Sequence, residues 1–258
     1  MDPAEEIEQA CADAWPAQTE QPLGGWRLRA SVDTVARSAS VAGGGGRRVG
    51  FTGRANSVLA VGDPGVPVAE ALTRACEFAH AHGVPPMVQA VKDGRVEREL
   101  AGQGWRPYVE YENGHEVAVL LGAVPAGPAP EKTAVLGAPT AGWWELAVGR
   151  PEPAPAERHV LTSGAKVGFG VAELDGVTAG GVRGSVVGET LLVARLAVRP
   201  GYRRRGLATA LMAAIGDWGR RRGATRCVLQ VSVGNTGALA LYAGLGFTEH
   251  HRYRYWVP

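Results

Sequence analysis

The chain has 258 residues and a mass of 27.0 kDa, is 45% hydrophobic and 20% charged, and carries a formal net charge of +2. That is enough apolar material for one large core or two ordinary ones, and it excludes a globally disordered chain. The near-neutral balance argues against a nucleic-acid partner, which needs a strongly basic face, and no apolar run is long enough to cross a bilayer.

Cys11, Cys76 and Cys227 are odd in number and scattered, with no C-x-x-C pair and no zinc spacing. Neither a disulfide framework nor a metal is therefore expected, and a reducing cytoplasm fits. The first residues, MDPAEEIEQ, are acidic and lack the apolar segment of a secretory signal. Residues 3–15 read as an amphipathic helix, with Ile7, Cys11 and Trp15 four apart. Residues 25–32 alternate as a strand. Residues 42–48, AGGGGRR, read as a hairpin tip, because no Gly-Lys-Ser/Thr follows as a phosphate loop requires. Residues 49–61 read as one or two strands.

After a turn at 62–67, residues 68–83 carry a helical stripe at Val68, Leu72, Cys76 and Ala79. PPMVQAV reads as a short strand, 96–105 as a short helix and 107–124 as a hairpin. The Pro/Ala/Gly-rich stretch 125–142 marks the expected boundary between an N-terminal part, 1–126, and a C-terminal part, 127–258. Residues 142–148 read as a helix, and PEPAPAE as a loop. Residues 166–174 and 177–188 read as antiparallel strands around Asp175-Gly176, and 189–198 as the next strand.

That strand ends at Arg199-Pro200-Gly201, and a new apolar stripe follows at Leu207, Leu211, Ile215 and Trp218. Between them lies Arg203-Arg204-Arg205-Gly206. Gly206 lets a backbone approach a ligand, Ala208 keeps the first turn uncluttered, and free N–H groups at a helix N-terminus attract anions. With Arg199 alongside, the loop reads as a diphosphate cradle or as a solvated basic loop; the loop by itself does not separate the two. Residues 226–233 alternate as a strand, with Gln230 and Ser232 opposite Leu229 and Val231. Asn235 is a good N-cap for a helix starting near Thr236.

RRRGLA resembles the Q/R-x-x-G-x-G/A signature of the GNAT superfamily of acetyl-CoA-dependent N-acyltransferases. Asn235 to Phe247, NTGALALYAGLGF, resembles that family's second motif, N-x-x-A-x-x-L-Y-x-x-x-G-F. Both occur in the family's order, one helix and one strand apart. The resemblance implies an α/β (α+β) GNAT fold, a mixed and mostly antiparallel sheet flanked by helices, with acetyl-CoA as cosubstrate. It implies that backbone groups near Leu196, Ala197 and Val198 pair with the pantetheine arm, with a bulge turning an N–H toward the thioester oxygen. The diphosphate would sit on Arg203, Arg204, Arg205, Gly206, Leu207, Ala208 and Thr209. Asn235 would contact the arm or serve only as N-cap, and Ala238 would keep the cofactor wall small. Tyr242 matches the general acid that protonates the departing thiolate, with a buried core aromatic as the alternative. The base is not readable; Glu189 is the candidate at the strand start, beside Glu173, His250 and His251.

The first half echoes the second. Leu59-Ala60-Val61 corresponds to Leu196-Ala197-Val198, Met87-Val88-Gln89 to Val228-Leu229-Gln230, and Gly104-Trp105 to Gly246-Phe247. The loop at 63–67 has no arginine, and Pro67 lacks an N–H. Two tandem GNAT-like domains are expected, the first degenerate. The function expected is transfer of an acetyl group to a primary amine in a ternary complex, by a monomer or homodimer. A mycothiol-synthase-like acyltransferase and a non-catalytic acetyl-CoA sensor are the alternatives.

Overall fold

The computed structural model describes residues 3–33, 50–127 and 132–258; the glycine-rich stretch 42–48 lies outside the described residues. Helix α1 (Pro3–Asp13) buries Ile7 and Cys11, as their spacing predicts. A hairpin of β1 (Thr19–Leu23) and β2 (Trp26–Ala30) follows. Strand β3 (Val58–Leu59), helix α2 (Val68–Ala81) and strand β4 (Val88–Val91) make a crossover unit in which β3 and β4 pair in parallel. Helix α3 (Arg95–Gly102) then leads through the short β5 (Arg106–Pro107) to β6 (Glu116–Ala123).

The stretch 49–61 forms less strand than its residues suggest. Buried Asn56 accepts from the Ser31 N–H at 2.7 Å and donates to the Thr52 carbonyl at 3.1 Å. These bonds accompany a 3-10 turn at Gly53–Ala55, so only Val58–Leu59 joins the sheet.

The second half repeats the plan on a larger scale. Strand β7 (Thr133–Leu136) pairs with β8 (Val167–Leu174), and between them lie α4 (Ala141–Val148) and α5 (Pro155–Thr162). Helix α5 starts inside the stretch expected to be loop. Pro155 suits the first helical position, and the Glu157 carboxylate accepts the Ala154 N–H at 2.7 Å. Strand β9 (Val177–Val187) follows the turn at Asp175 and Gly176, both at positive φ as a two-residue hairpin requires. Strand β10 (Thr190–Val198), α6 (Leu207–Arg220) and β11 (Arg226–Ser232) form the second parallel crossover. Helix α7 (Thr236–Gly244) and β12 (Thr248–Val257) complete the described chain.

All twelve strands join one sheet, in the order β1-β2-β3-β4-β12-β6-β11-β10-β9-β8-β7, with β5 also on β12. The hairpin expected over 107–124 does not form; β5 and β6 both pair with β12 instead. The two halves exchange their last strands. Strand β4 of the first half pairs antiparallel with β12 of the second, and β11 of the second pairs antiparallel with β6 of the first. The composition of β6 explains this. Val117 and Val119 face the core beneath α1, whereas Ala118 and Leu120 face the core beneath α6 and α7. A strand apolar on both faces belongs in the middle of a covered sheet, not at its margin. Strand β12 changes character along its length: it starts as Thr-Glu-His-His and ends with buried Tyr255 and Trp256, the latter in the core beneath α2 and α3.

Helix α1 covers the junction, where Ile7 and Cys11 pack with Met87, Val117, Leu192, Val228 and Tyr253, drawn from both halves. Its Glu8, 1% exposed, accepts from Gln89 at 2.6 Å and from Gln230 at 3.3 Å, and contacts His251 Nε2 at 3.1 Å. Gln89 and Gln230 are the residues that the internal repeat equates, so one carboxylate ties matching positions of the two halves. Among the described residues, no helix is long and apolar enough to cross a membrane.

Candidate active site

Strands β10 and β11 pair in parallel from Thr190↔Arg226 to Val193↔Leu229 and no further. Just beyond, β10 shifts register against β9 between Ala194 and Ala197, and Arg195 sits at φ 55°. This bulge bends the strand away from its partner. The gap is a cavity of about 180 Å³ lined by Leu196, Val231, Asn235, Ala238 and Tyr242. Asn235 Oδ1 caps α7 by accepting the Ala238 N–H at 3.1 Å, as its position predicts.

The chain leaves β10 through a 3-10 turn at Pro200–Tyr202 and enters α6 behind Arg204 (φ 62°) and Gly206 (φ 76°). A left-handed residue there favours glycine, and it aims the following amides outward. Ala210 donates to the Gly206 carbonyl at 3.0 Å, so Leu207, Ala208 and Thr209 form the open first turn. Arg203 is tied back to the Val198 carbonyl at 3.2 Å, and Arg205 lies 5.4 Å over the Tyr202 ring. Arg199 departs from the expected cluster: it donates to the Thr178 carbonyl at 2.9 Å and pairs with Glu145 of α4 at 2.6 Å.

The equivalent loop of the first half is filled by its own side chains. The Asp63 carboxylate accepts the Gly65 N–H at 2.8 Å, Glu5 of α1 accepts the Gly62 N–H at 3.1 Å, and Pro67 supplies no donor. Two carboxylates stand where the second half presents arginines.

Arg54, Arg195, Gln230 and Ser232 line the gap and also a second cavity of about 690 Å³ that adjoins it. That volume lies in the range of small-molecule sites. Much of its wall comes from the first half, through Phe51, Arg54, Tyr111 and Glu112. Strand exchange brings Tyr111 and Glu112 there, because the loop before β6 follows β6 to the side of β11, whereas Phe51 and Arg54 come from the segment before β3. Sequence reasoning missed Arg54, Arg195 and the aromatic wall. Arg195 left a signal, a lone charge inside LLVARLAV; Arg54 left none.

Tyr242 is buried at 7% exposure and packs edge-on against Phe247 at 6.0 Å between centroids. Burial, with a smaller contribution from Cys227, pushes its pKa up to about 12. It therefore holds its proton at neutral pH and is positioned both as a core aromatic and as a lining group of the gap. Burial also raises the Cys227 thiol, which behaves as a core residue rather than a nucleophile.

The four candidate bases lie elsewhere. Glu189 is exposed at the start of β10, six residues before Arg195, about 20 Å away along an extended strand. Its backbone carbonyl accepts Thr225 and Arg226, which anchors the start of β11. Glu173 is exposed on β8 and accepts from Thr178. His251 faces Glu8, and His250 contacts His251 at 2.9 Å. None of the four lines either cavity. Two other carboxylates do. Glu157 is taken by Arg150 and the Ala154 N–H, whereas Glu112 is exposed and makes no ion pair within 4.0 Å among the described residues.

A sheet splayed at a bulge beside an open helix N-terminus is the arrangement of a GNAT acyltransferase, and the fold comparison agrees. A GCN5-related N-acetyltransferase from Kribbella flavida matches 99% of this chain and 95% of its own with a TM-score of 0.67, at 16% identity. Residues 46–256 match the family model described as "Probable histone acetyltransferase Rv0428c C-terminal", and the chain belongs to this family of GNAT acetyltransferases. The uncharacterized N-acetyltransferase YobR of Bacillus subtilis is similar along its length, 24% identical over 97% of this chain and 98% of its own. N-alpha-acetyltransferase 30 of Schizosaccharomyces pombe is 41% identical over 25% of this chain, a match that spans only 44% of that protein. The protein is thus an acyltransferase of the GNAT class, whose members use acetyl-CoA as cosubstrate.

Proposed function

We propose that this protein transfers the acetyl group of acetyl-CoA to a primary amine by direct attack in a ternary complex. The observation that carries the reading is the gap at the Arg195 bulge, which joins the Tyr242 cavity to the 690 Å³ cavity. The cosubstrate arm lies in the smaller space as an added strand on Leu196, Ala197 and Val198. Its diphosphate rests on the Arg203–Thr209 segment, where the Leu207, Ala208 and Thr209 amides and nearby guanidiniums meet it. Asn235 has committed its oxygen to the helix cap, so its amide nitrogen is the group left for the arm. The first half acts through the acceptor wall and binds no cosubstrate of its own.

The amine enters from the larger cavity and attacks the thioester carbonyl. A backbone donor at the bulge holds the oxyanion as the C–N bond forms. The C–S bond then breaks, and Tyr242 gives its proton to the thiolate. Arg54 and Arg195 beside the amine disfavour its charged form, so its proton is lost to water or to Glu112 without a dedicated base on β10.

Calorimetry with acetyl-CoA, followed by an amine panel assayed with wild-type and Tyr242→Phe protein, tests the proposal. Tight cosubstrate binding without turnover of any amine would favour a binding module; no binding at all would remove the reading.

A further inference from the structure

Three arginines gather around Trp15, and two of them, Arg54 and Arg195, line the larger cavity. The guanidinium carbons of Arg54, Arg183 and Arg195 lie 4.2, 5.1 and 5.8 Å from its ring centroids, and Arg195 is also 4.8 Å over Phe51. None of them makes an ion pair within 4.0 Å among the described residues. Arg54 donates to the neutral Gln230 at 2.9 Å, and Arg183 to the Leu161 carbonyl at 2.8 Å. Arg183 Nη1 and Arg195 Nε are buried with no hydrogen-bond partner among the described residues. Burial pushes the Arg183 pKa down to about 9 and that of Arg195 to about 10, with repulsion from Arg54 adding to both.

The nearby carboxylates act on this cluster only from beyond ion-pair distance: Glu157 attracts Arg195, and neither it, Glu8 nor Glu112 pairs with any of the three within 4.0 Å among the described residues. Glu157 is held by Arg150, and Glu8 by Gln89, Gln230 and His251. Residues 34–49 contain three arginines and no aspartate or glutamate, so they have no counter-charge to give. Aromatic faces offset part of the cost of gathering like charges out of water, but they leave unsatisfied N–H donors. An arginine fork with spare donors at a cavity wall matches a carboxylate.

Because Arg54 and Arg195 line both cavities, that carboxylate would sit close to the thioester. We infer that the acceptor is an amine with a carboxylate only a few bonds away, an amino acid or a close analogue, held through its carboxylate by Arg54 and Arg195. This deepens the acetyl-transfer reading and rests on it. It also sets the site against a lysine-rich peptide, whose neighbouring cations the same arginines would repel.

The test compares free amino acids with their α-amides and their decarboxylated amines as acceptors. For the best acceptor, wild-type kcat/KM favours the acid by about tenfold or more, mainly through KM. Arg54→Met and Arg195→Met bring that ratio close to one, and Arg54→Lys, which keeps the charge but not the fork, gives an intermediate ratio. A wild-type preference for amides or for lysine-rich peptides overturns the inference while leaving acetyl transfer intact. If no acceptor turns over, the N-acetylated amino acids are titrated into CoA-loaded protein. Binding that weakens in Arg54→Met or Arg54→Lys supports the inference, and absence of binding to wild type overturns it. Failure to bind acetyl-CoA is a separate result: it defeats the acetyl-transfer reading and, with it, the inference that rests on it.

Discussion

In the second half the chain leaves β10 through Arg199-Pro200-Gly201 and enters α6 behind a left-handed Gly206. In the first half it leaves β3 through Asp63-Pro64-Gly65 and enters α2 behind Pro67. The two crossovers share a plan, yet one opens onto amides and guanidiniums and the other closes on Asp63 and Glu5. Two crossovers of one plan therefore differ in a handful of loop residues. The first half also supplies β6, the strand beside β11, and about half of the wall of the larger cavity.

The strongest way to break this comparison is to separate the halves. Deleting 248–257 removes the partner of both β4 and β6, so neither half keeps its core. Calorimetry of the full chain then shows one cooperative transition, and the truncated chain shows none. Two separate transitions in the full chain would mean that the halves are independent.

The next effect falls on the link between them. Glu8→Ala takes the acceptor from buried Gln89 and from half-buried Gln230 and His251, and costs about 3 kcal/mol in denaturant unfolding. Glu8→Gln costs less, because it keeps one acceptor.

The contrast between the loops comes third. Gly206→Glu places a side chain at φ 76° and a negative charge over the open amides, and weakens acetyl-CoA binding by about 100-fold in calorimetry. Asp63→Ala in the silent loop leaves that affinity within about twofold. Equal losses from both would mean that the two loops act alike.

The smallest expected change is at Tyr242. Tyr242→Phe lowers kcat by about tenfold and barely moves the KM for acetyl-CoA. Its raised pKa also fixes a sign. Below pH 10 the phenol is neutral in folded and unfolded chains alike. Between pH 10 and about 12 only the unfolded chain loses the proton, so stability falls as pH rises through that window, and it falls less steeply in the phenylalanine variant.

Much of this was legible from the residues. The periodicity of 207–220, the cap at Asn235 and the Asp175-Gly176 turn are local signals, and the structure has each where the pattern puts it. The bulge was implied by the resemblance, and β10 carries it. The exchange of β6 and β12 was not legible, because alternation shows which faces of a strand are buried but not which strand lies beside it. The position of Glu189 has a related cause: it is near the site in sequence and a strand's length away in space. Glu112 reaches the cavity only after a partner swap that no local pattern encodes.

The interlocked strands also put a timetable on biosynthesis. Strand β4 emerges from the ribosome long before β12 is made, so the apolar edge of the first half waits without its neighbour until nearly all of this sequence has been translated. During that interval the nascent chain displays an unfinished sheet, and chaperone capture there, rather than any property of the mature enzyme, would govern how much of it a cell accumulates.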